Sequence, residues 1–187
     1  MNTNFKSVKQ LCITAIFMAL TMITTMFIQI PIPLGYANLG NSIIMIASFF
    51  FGPATGLIAG GIGSALADFL TGYPVWCLPT FIIKAVMGYA FYHICHSKKL
   101  GCRVLSVRTA IACLAVIAWM AAGYTISGCI LYGSVAAGLS STPGLALEGV
   151  LHIILFYALA IPLEKTNAFK EMRFGHVAQS PEKNRCH

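Results

Sequence analysis

From residue 10 to residue 97 this chain carries two charged side chains, Asp68 and Lys84. All other Lys and Arg residues stand in three groups. Lys6 and Lys9 lie near the start, Lys98, Lys99, Arg103 and Arg108 between two apolar runs, and Lys165, Lys170, Arg173, Lys183 and Arg185 at the end. Apolar runs of about 20 residues are what a helix needs to cross the hydrocarbon core of a bilayer. A soluble domain has about 25% charged residues; here the figure is 9%, with 58% hydrophobic residues and a mean hydropathy of +0.80. The reading is an all-α integral membrane protein: one membrane domain over 1–165 and a polar cytoplasmic tail over 166–187. Soluble enzymes and nucleic-acid binders are excluded. The net charge of +7 lies beside the spans, where it sets orientation and meets the anionic lipid of the bilayer.

Six spans fit the pattern. The first, 8–30, ends at Pro31 and Pro33. It is too long for a signal-peptide core and no A-x-A site follows, so it reads as a retained helix. The second, 41–51, is short, and Phe51-Gly52-Pro53 turns the chain. The third covers 54–70, the fourth 76–96 and the fifth 109–131. The connection GSVAAGLSSTPG leads to the sixth, 145–163. The loops near 31–40, 71–75 and 132–143 contain no Lys or Arg. The positive-inside rule then puts both termini in the cytoplasm of a bacterial cell, with Tyr73 and Trp76 at the outer interface. At 1.5 Å per residue the second span is too short for a core of roughly 30 Å. Either it tilts into the bundle or the loop before it dips into the membrane, where irregular backbone must be shielded or line a wet cavity.

A charge at mid-membrane costs roughly 2.5–3.5 kcal/mol on insertion scales, and such residues face a partner, a cavity or a ligand. Helical side chains lean toward the helix N-terminus, so Lys84 leans outward toward the level of Asp68, and the two can form an ion pair. Glu148 and His152, four apart on one helix face, lean the same way. Four ionisable groups from three helices thus converge on one outer cavity. Tyr36, Asn38, Asn41, Trp76 and Tyr124 can supply its aromatic walls and polar contacts. Plainer roles stand beside this: a structural Asp68–Lys84 pair, a neutral hydrogen-bonded His152, a solvated Glu148. Gly56, Gly60, Ser64 and Asp68 form a seam of small residues at a spacing of four, and Ala15-x-x-x-Ala19 a shorter one; each lets helices approach closely, inside the fold or against another subunit. The seven cysteines contain no CxxC pair and read as small hydrophobes, so no metal site or cofactor is expected. There is no GxxxxGK[ST] for ATP and no HExxH. The chain is not expected to be an enzyme.

Residues 8–165 resemble the substrate-binding S components of energy-coupling factor (ECF) vitamin transporters, in the branch that takes riboflavin, hydroxymethylpyrimidine and pyridoxine. The resemblance rests on NLG at 38–40, FGPATGLIAGGIGSALAD at 51–68, TFIIK at 80–84, GYTISGCILYG at 123–133 and Pro143-Gly144. It implies a six-helix protein that binds a vitamin on the outer side and partners a transmembrane T component and two cytoplasmic ATPases. It implies that Ala15 and Ala19 contact the T component, with Gly56 and Gly60 on the partner-facing helices. The last three helices and the outer loops hold the ligand, and loop 31–40 is the gate. This chain departs from the branch at Asn41, where an aspartate is usual, and at PGLALEG, which replaces PGNxxQG and puts Leu145 and Glu148 at polar positions. An acidic Glu148 favours a ligand with cationic or amine groups. The competing expectations are a solitary secondary transporter coupled to protons through Asp68, Glu148 or His152, and a small structural membrane subunit.

Overall fold

Five helical stretches are long and apolar enough to cross a membrane: Val8–Phe27, Pro53–Leu70, Pro74–Cys95, Val107–Tyr132 and Val135–Lys165. The computed structural model describes residues 8–27, 29–32, 35–96 and 103–166. Its elements are α1 (Val8–Phe27), a hairpin of β1 (Gln29–Ile32) and β2 (Gly35–Asn38), α2 (Gly40–Phe51), α3 (Pro53–Ile58), a π turn (Ala59–Gly63) and α4 (Ser64–Leu70). A 3₁₀ turn (Pro74–Trp76), α5 (Cys77–Cys95), α6 (Val107–Tyr132), α7 (Val135–Ser140) and α8 (Thr142–Lys165) follow. The result is a multi-span helical membrane bundle. The tail expected over 166–187 lies outside the described residues from 167 onward.

The short second helix is the centre of the bundle. Of the residues of α2, only Ile43 is not buried. A helix apolar all round belongs inside, with no face for lipid or water. At 1.5 Å per residue α2 spans about 18 Å, and it lies in the interior of the bundle. Its Phe49 meets Phe156 of α8, which meets Phe91 of α5, edge to face at 6.1 and 5.4 Å.

The first helix has the opposite arrangement. Its buried residues are Thr14, Thr21 and Thr25, while Leu11, Ile16, Leu20, Ile23 and Phe27 are exposed. In lipid an apolar exterior costs nothing, and hydroxyls must turn inward to find partners. Thr14 Oγ1 meets Thr55 Oγ1 of α3 at 3.1 Å.

Two expectations about connections change. Loop 31–40 contains a hairpin, with Gln29 opposite Asn38 and Ile32 opposite Gly35, so its backbone groups serve one another. The connection before the last helix is not irregular. Ser134 caps α7 by accepting from the Ala137 N–H at 3.4 Å, and Pro143 stands in the first turn of α8.

The small-residue seam lies inside the fold. Gly52, at φ 103°, turns the chain from α2 into α3. Gly56 then lies against Ser48 of α2, and Gly60 against the backbone of Lys84 and the Ile44 side chain. Gly56 and Gly60 are therefore buried packing residues, not a face open to a partner. The π turn interrupts the regular spacing between Gly60 and Ser64, yet Ser64 and Asp68 remain buried. Opposite this seam, a Cβ on Gly88 of α5 would strike the Gly56 backbone, and the Gly88 carbonyl accepts from Ser48 Oγ at 2.5 Å. Overpacking a tight contact costs about 1–3 kcal/mol or more. Gly88→Leu is expected to lower the thermal unfolding temperature in detergent, while Val86→Leu on an exposed face of the same helix leaves it unchanged.

Candidate substrate site

The chain's alternation brings the hairpin, the starts of α2, α5 and α8 and the end of α4 to one end of the bundle. Asn38, the last residue of β2 and 8% exposed, ties these elements together. Its Oδ1 accepts from Lys84 Nζ of α5 at 3.2 Å, from the Gly40 N–H at 3.0 Å and from Thr25 Oγ1 of α1 at 3.4 Å. Its own N–H donates to Glu148 Oε1 of α8 at 3.0 Å. One residue thus joins two buried charges to the hairpin.

Glu148 Oε1 also meets His152 Nε2, one helical turn on, at 3.1 Å. The same ring nitrogen lies 2.8 Å from Asn41 Nδ2, and His152 Nδ1 lies 3.1 Å from Ser42 Oγ. Ser42 Oγ is also 3.2 Å from the His152 carbonyl oxygen, and Asn41 donates to the sulfur of Met120 on α6. The histidine is fully buried and held on both nitrogens by α2 and α8. Glu148 is 4% exposed, so it is an interior carboxylate and not a solvated one.

Lys84 and Asp68 are buried as well. A buried charge is tolerable only when paired and hydrogen-bonded. Lys84 Nζ reaches Asn38 Oδ1 at the end of the hairpin. The lysine is thereby tied to the hairpin. Trp76 is buried, its ring 5.9 Å from Tyr124 and 6.3 Å from Tyr132. Tyr124 donates to Thr80 Oγ1 at 3.1 Å. The Tyr36 backbone pairs with Pro31 in the hairpin; its side chain lies outside the described part of the structure. Ala15 and Ala19 are exposed on the outer face of α1, away from this site.

Sequence reasoning missed Ser42, Thr25 and Met120. A single hydroxyl or thioether in an apolar helix carries no motif, and its role appears only when another helix brings it a partner. Ser42, directly after Asn41 at the start of a short span, was the nearest thing to a signal.

A family model described as the S component of an ECF-type riboflavin transporter matches residues 5–165. The chain belongs to this S-component family. A solved protein described as the S component of a bacterial ECF transporter is similar in fold, with a TM-score of 0.69 over 83% of this chain and 95% of that one. At 23% identity that likeness speaks for the fold alone. A Pyrococcus woesei protein, described as an uncharacterized protein in the gap 3'region, is 37% identical over 119 residues. That match spans 63% of this chain and 62% of the relative, less than two thirds of its length.

In this S component the strongest polar ties of the hairpin run through charged side chains. Glu148→Ala strands the Asn38 N–H and removes one of the two partners of His152 Nε2. Leaving buried groups unsatisfied costs about 1–3 kcal/mol each. Glu148→Ala is expected to lower the unfolding temperature and to speed amide exchange at Asn38. Thr25→Val, which removes one longer bond, is expected to have the smaller effect on both.

Proposed function

We propose that this chain is the substrate-binding component of an ECF-type importer and captures riboflavin, or a related pyrimidine- or B6-type vitamin or precursor, for ATP-driven uptake. The family match over 5–165 carries this reading. The polar cluster supports it. Lys84, Glu148, His152, Asn38 and Asn41 gather at one end of the bundle, with Trp76 and Tyr124 on nearby elements, as in sites where apolar walls surround a few oriented polar groups. The cluster holds no arrangement suited to bond making, and among the described residues no three His, Cys, Asp or Glu side chains are grouped to hold a metal. The chain binds; the chemistry of ATP belongs to partners.

In this proposal α2 is the sixth membrane helix, buried by the others, and both termini face the cytoplasm of a bacterial cell. The end bearing Asn38 faces outward. The opposite end, with Lys9, Arg103, Arg108 and Lys165, carries the positive charge expected inside. A transmembrane T component and two ATPases complete the machine. The face of α1 that shows Ala15 and Ala19 among larger exposed residues suits close contact with another membrane helix. Ala15→Leu with Ala19→Leu is expected to reduce co-purification with the T component and to leave ligand affinity unchanged; unaltered assembly retires this surface.

The discriminating measurement is energetic. Liposomes holding the whole complex are expected to accumulate riboflavin only with internal ATP. Uptake by the chain alone, driven by a proton gradient without ATP, would instead establish a secondary transporter.

A further inference from the structure

Two adjacent spans meet at the basic end of the bundle. Pro74–Cys95 finishes there and Val107–Tyr132 begins there. Between them lies an open groove of about 540 Å³, lined by Tyr89, Ala90, His93 and Ile94 of α5 and by Arg108 of α6. His93 stands nine residues beyond Lys84 on α5, roughly 14 Å along the helix at 1.5 Å per residue. The groove is therefore separate from the polar cluster at the hairpin.

Its two halves differ in chemistry. Ala90 and Ile94 are apolar and half-buried. Arg108 is half-buried too, in the first turn of α6. Among the described residues its guanidinium makes no hydrogen bond or ion pair, and no carboxylate lines the groove. Glu164, an acidic side chain near the start of α6, is instead taken by the Val104 N–H at 3.2 and 3.3 Å. The backbone that carries Arg108 is fixed. Ser106 Oγ accepts from the Thr109 N–H at 3.2 Å, and Thr109 Oγ1 donates to the Arg103 carbonyl at 2.9 Å. The aromatic wall is set as well, with the His93 ring 4.4 Å from Tyr89 and 5.5 Å from Tyr92.

A guanidinium offers five donors in a planar fork that matches phosphate oxygens. Here it stands beside an apolar trough, at the depth where the spans end and head groups begin. The connection between the two spans adds Lys98, Lys99 and Arg103, so the surrounding charge draws anions and repels cations. A soluble anion would use Arg108 and leave the apolar half uncovered. A zwitterionic lipid would bring an ammonium to a surface that is already positive. A lipid with net negative charge satisfies both halves, and basic pockets between membrane helices hold such head groups.

We propose that the α5–α6 groove is a discrete site for one anionic glycerophospholipid. Its phosphate lies on Arg108, with Tyr89 and His93 as further donors, and an acyl chain runs along Ala90 and Ile94. The site selects one lipid molecule, beyond the diffuse attraction of basic loops for an anionic surface, and does not depend on what the chain transports.

The test titrates the full chain in detergent micelles with phosphatidylglycerol or with phosphatidylcholine of the same acyl chains. Native mass spectrometry counts the lipid retained, and thermal unfolding reports its effect on the fold. One phosphatidylglycerol is expected to bind roughly tenfold more tightly than phosphatidylcholine, the factor that a hydrogen bond to a charged group supplies, and to raise the unfolding temperature. Arg108→Gln is expected to abolish the preference. Lys165→Gln, at an exposed basic residue of the same end outside the groove, is expected to keep it. Equal affinity of the unmodified protein for the two lipids overturns the proposal and needs no variant to fold. Equal losses in Arg108→Gln and Lys165→Gln also overturn it, since diffuse charge then accounts for the binding. Glycerol phosphate, which has no acyl chain, is expected to protect against unfolding only at far higher concentration. Protection equal to that of phosphatidylglycerol assigns the groove to a soluble anion and retires the lipid.

Discussion

A polar atom inside a bilayer has no water to turn to, and the organisation of this chain follows from that constraint. Most buried polar groups therefore find a partner in the protein, though Thr21 Oγ1, Asn41 Oδ1, Ser64 Oγ and Ser141 Oγ have none among the described residues. On α1, Thr14 and Thr25 face inward, toward Thr55 and Asn38, while Leu11, Ile16, Leu20 and Ile23 face out. The hairpin pairs its own backbone. Where the hairpin ends, Asn38 takes a lysine on its side chain and a glutamate on its N–H. Replacing its side chain would leave the buried Lys84 short of a partner, and moving its backbone would take a donor from Glu148, so the position of the hairpin and the pairing of the two charges are one problem.

Packing supplies the complement. Without a hydrophobic drive between helices in lipid, close van der Waals contact holds the bundle, and small residues permit it. Gly56, Gly60 and Gly88 let α3, the π turn and α5 approach around α2. That approach places the Lys84 backbone against the glycine seam, and the side chain reaches Asn38. The small-residue face and the charged cluster therefore serve one another: tight packing excludes water, and exclusion of water makes each hydrogen bond in the cluster count.

Much of this was legible in the chain itself. The near-absence of charge from residue 10 to residue 97 specified membrane helices. The runs of 20 or so apolar residues located them to within a few positions, because length and hydropathy act locally. Lys84, Glu148 and His152 stood out because a charge in an apolar helix needs a reason. The motifs at 38–40, 51–68 and 80–84 pointed to the family that the comparison over 5–165 then showed. What was not legible depends on contacts between distant segments. Trp76 sits at a span boundary, and its packing against the rings of Tyr124 and Tyr132 could not be read from that position. Gly56 and Gly60 could equally face a partner until Ser48, Ile44 and Lys84 were seen to cover them. The hairpin was hidden because its prolines and glycine weaken any strand pattern.

By itself, then, the sequence determined the solvent this protein lives in, the helices that cross it and the buried ionisable groups, since hydropathy and charge are properties of residues taken one at a time. Only the tertiary structure decided who answers whom. It set Lys84 to Asn38, Asn38 to Glu148, and His152 between α2 and α8. Apart from the contact of His152 with Glu148 one turn away, those pairings span about 46 to 111 positions of chain, and no local preference reaches that far. They exist because a buried charge must be met by whichever segment the packing brings within about 3 Å.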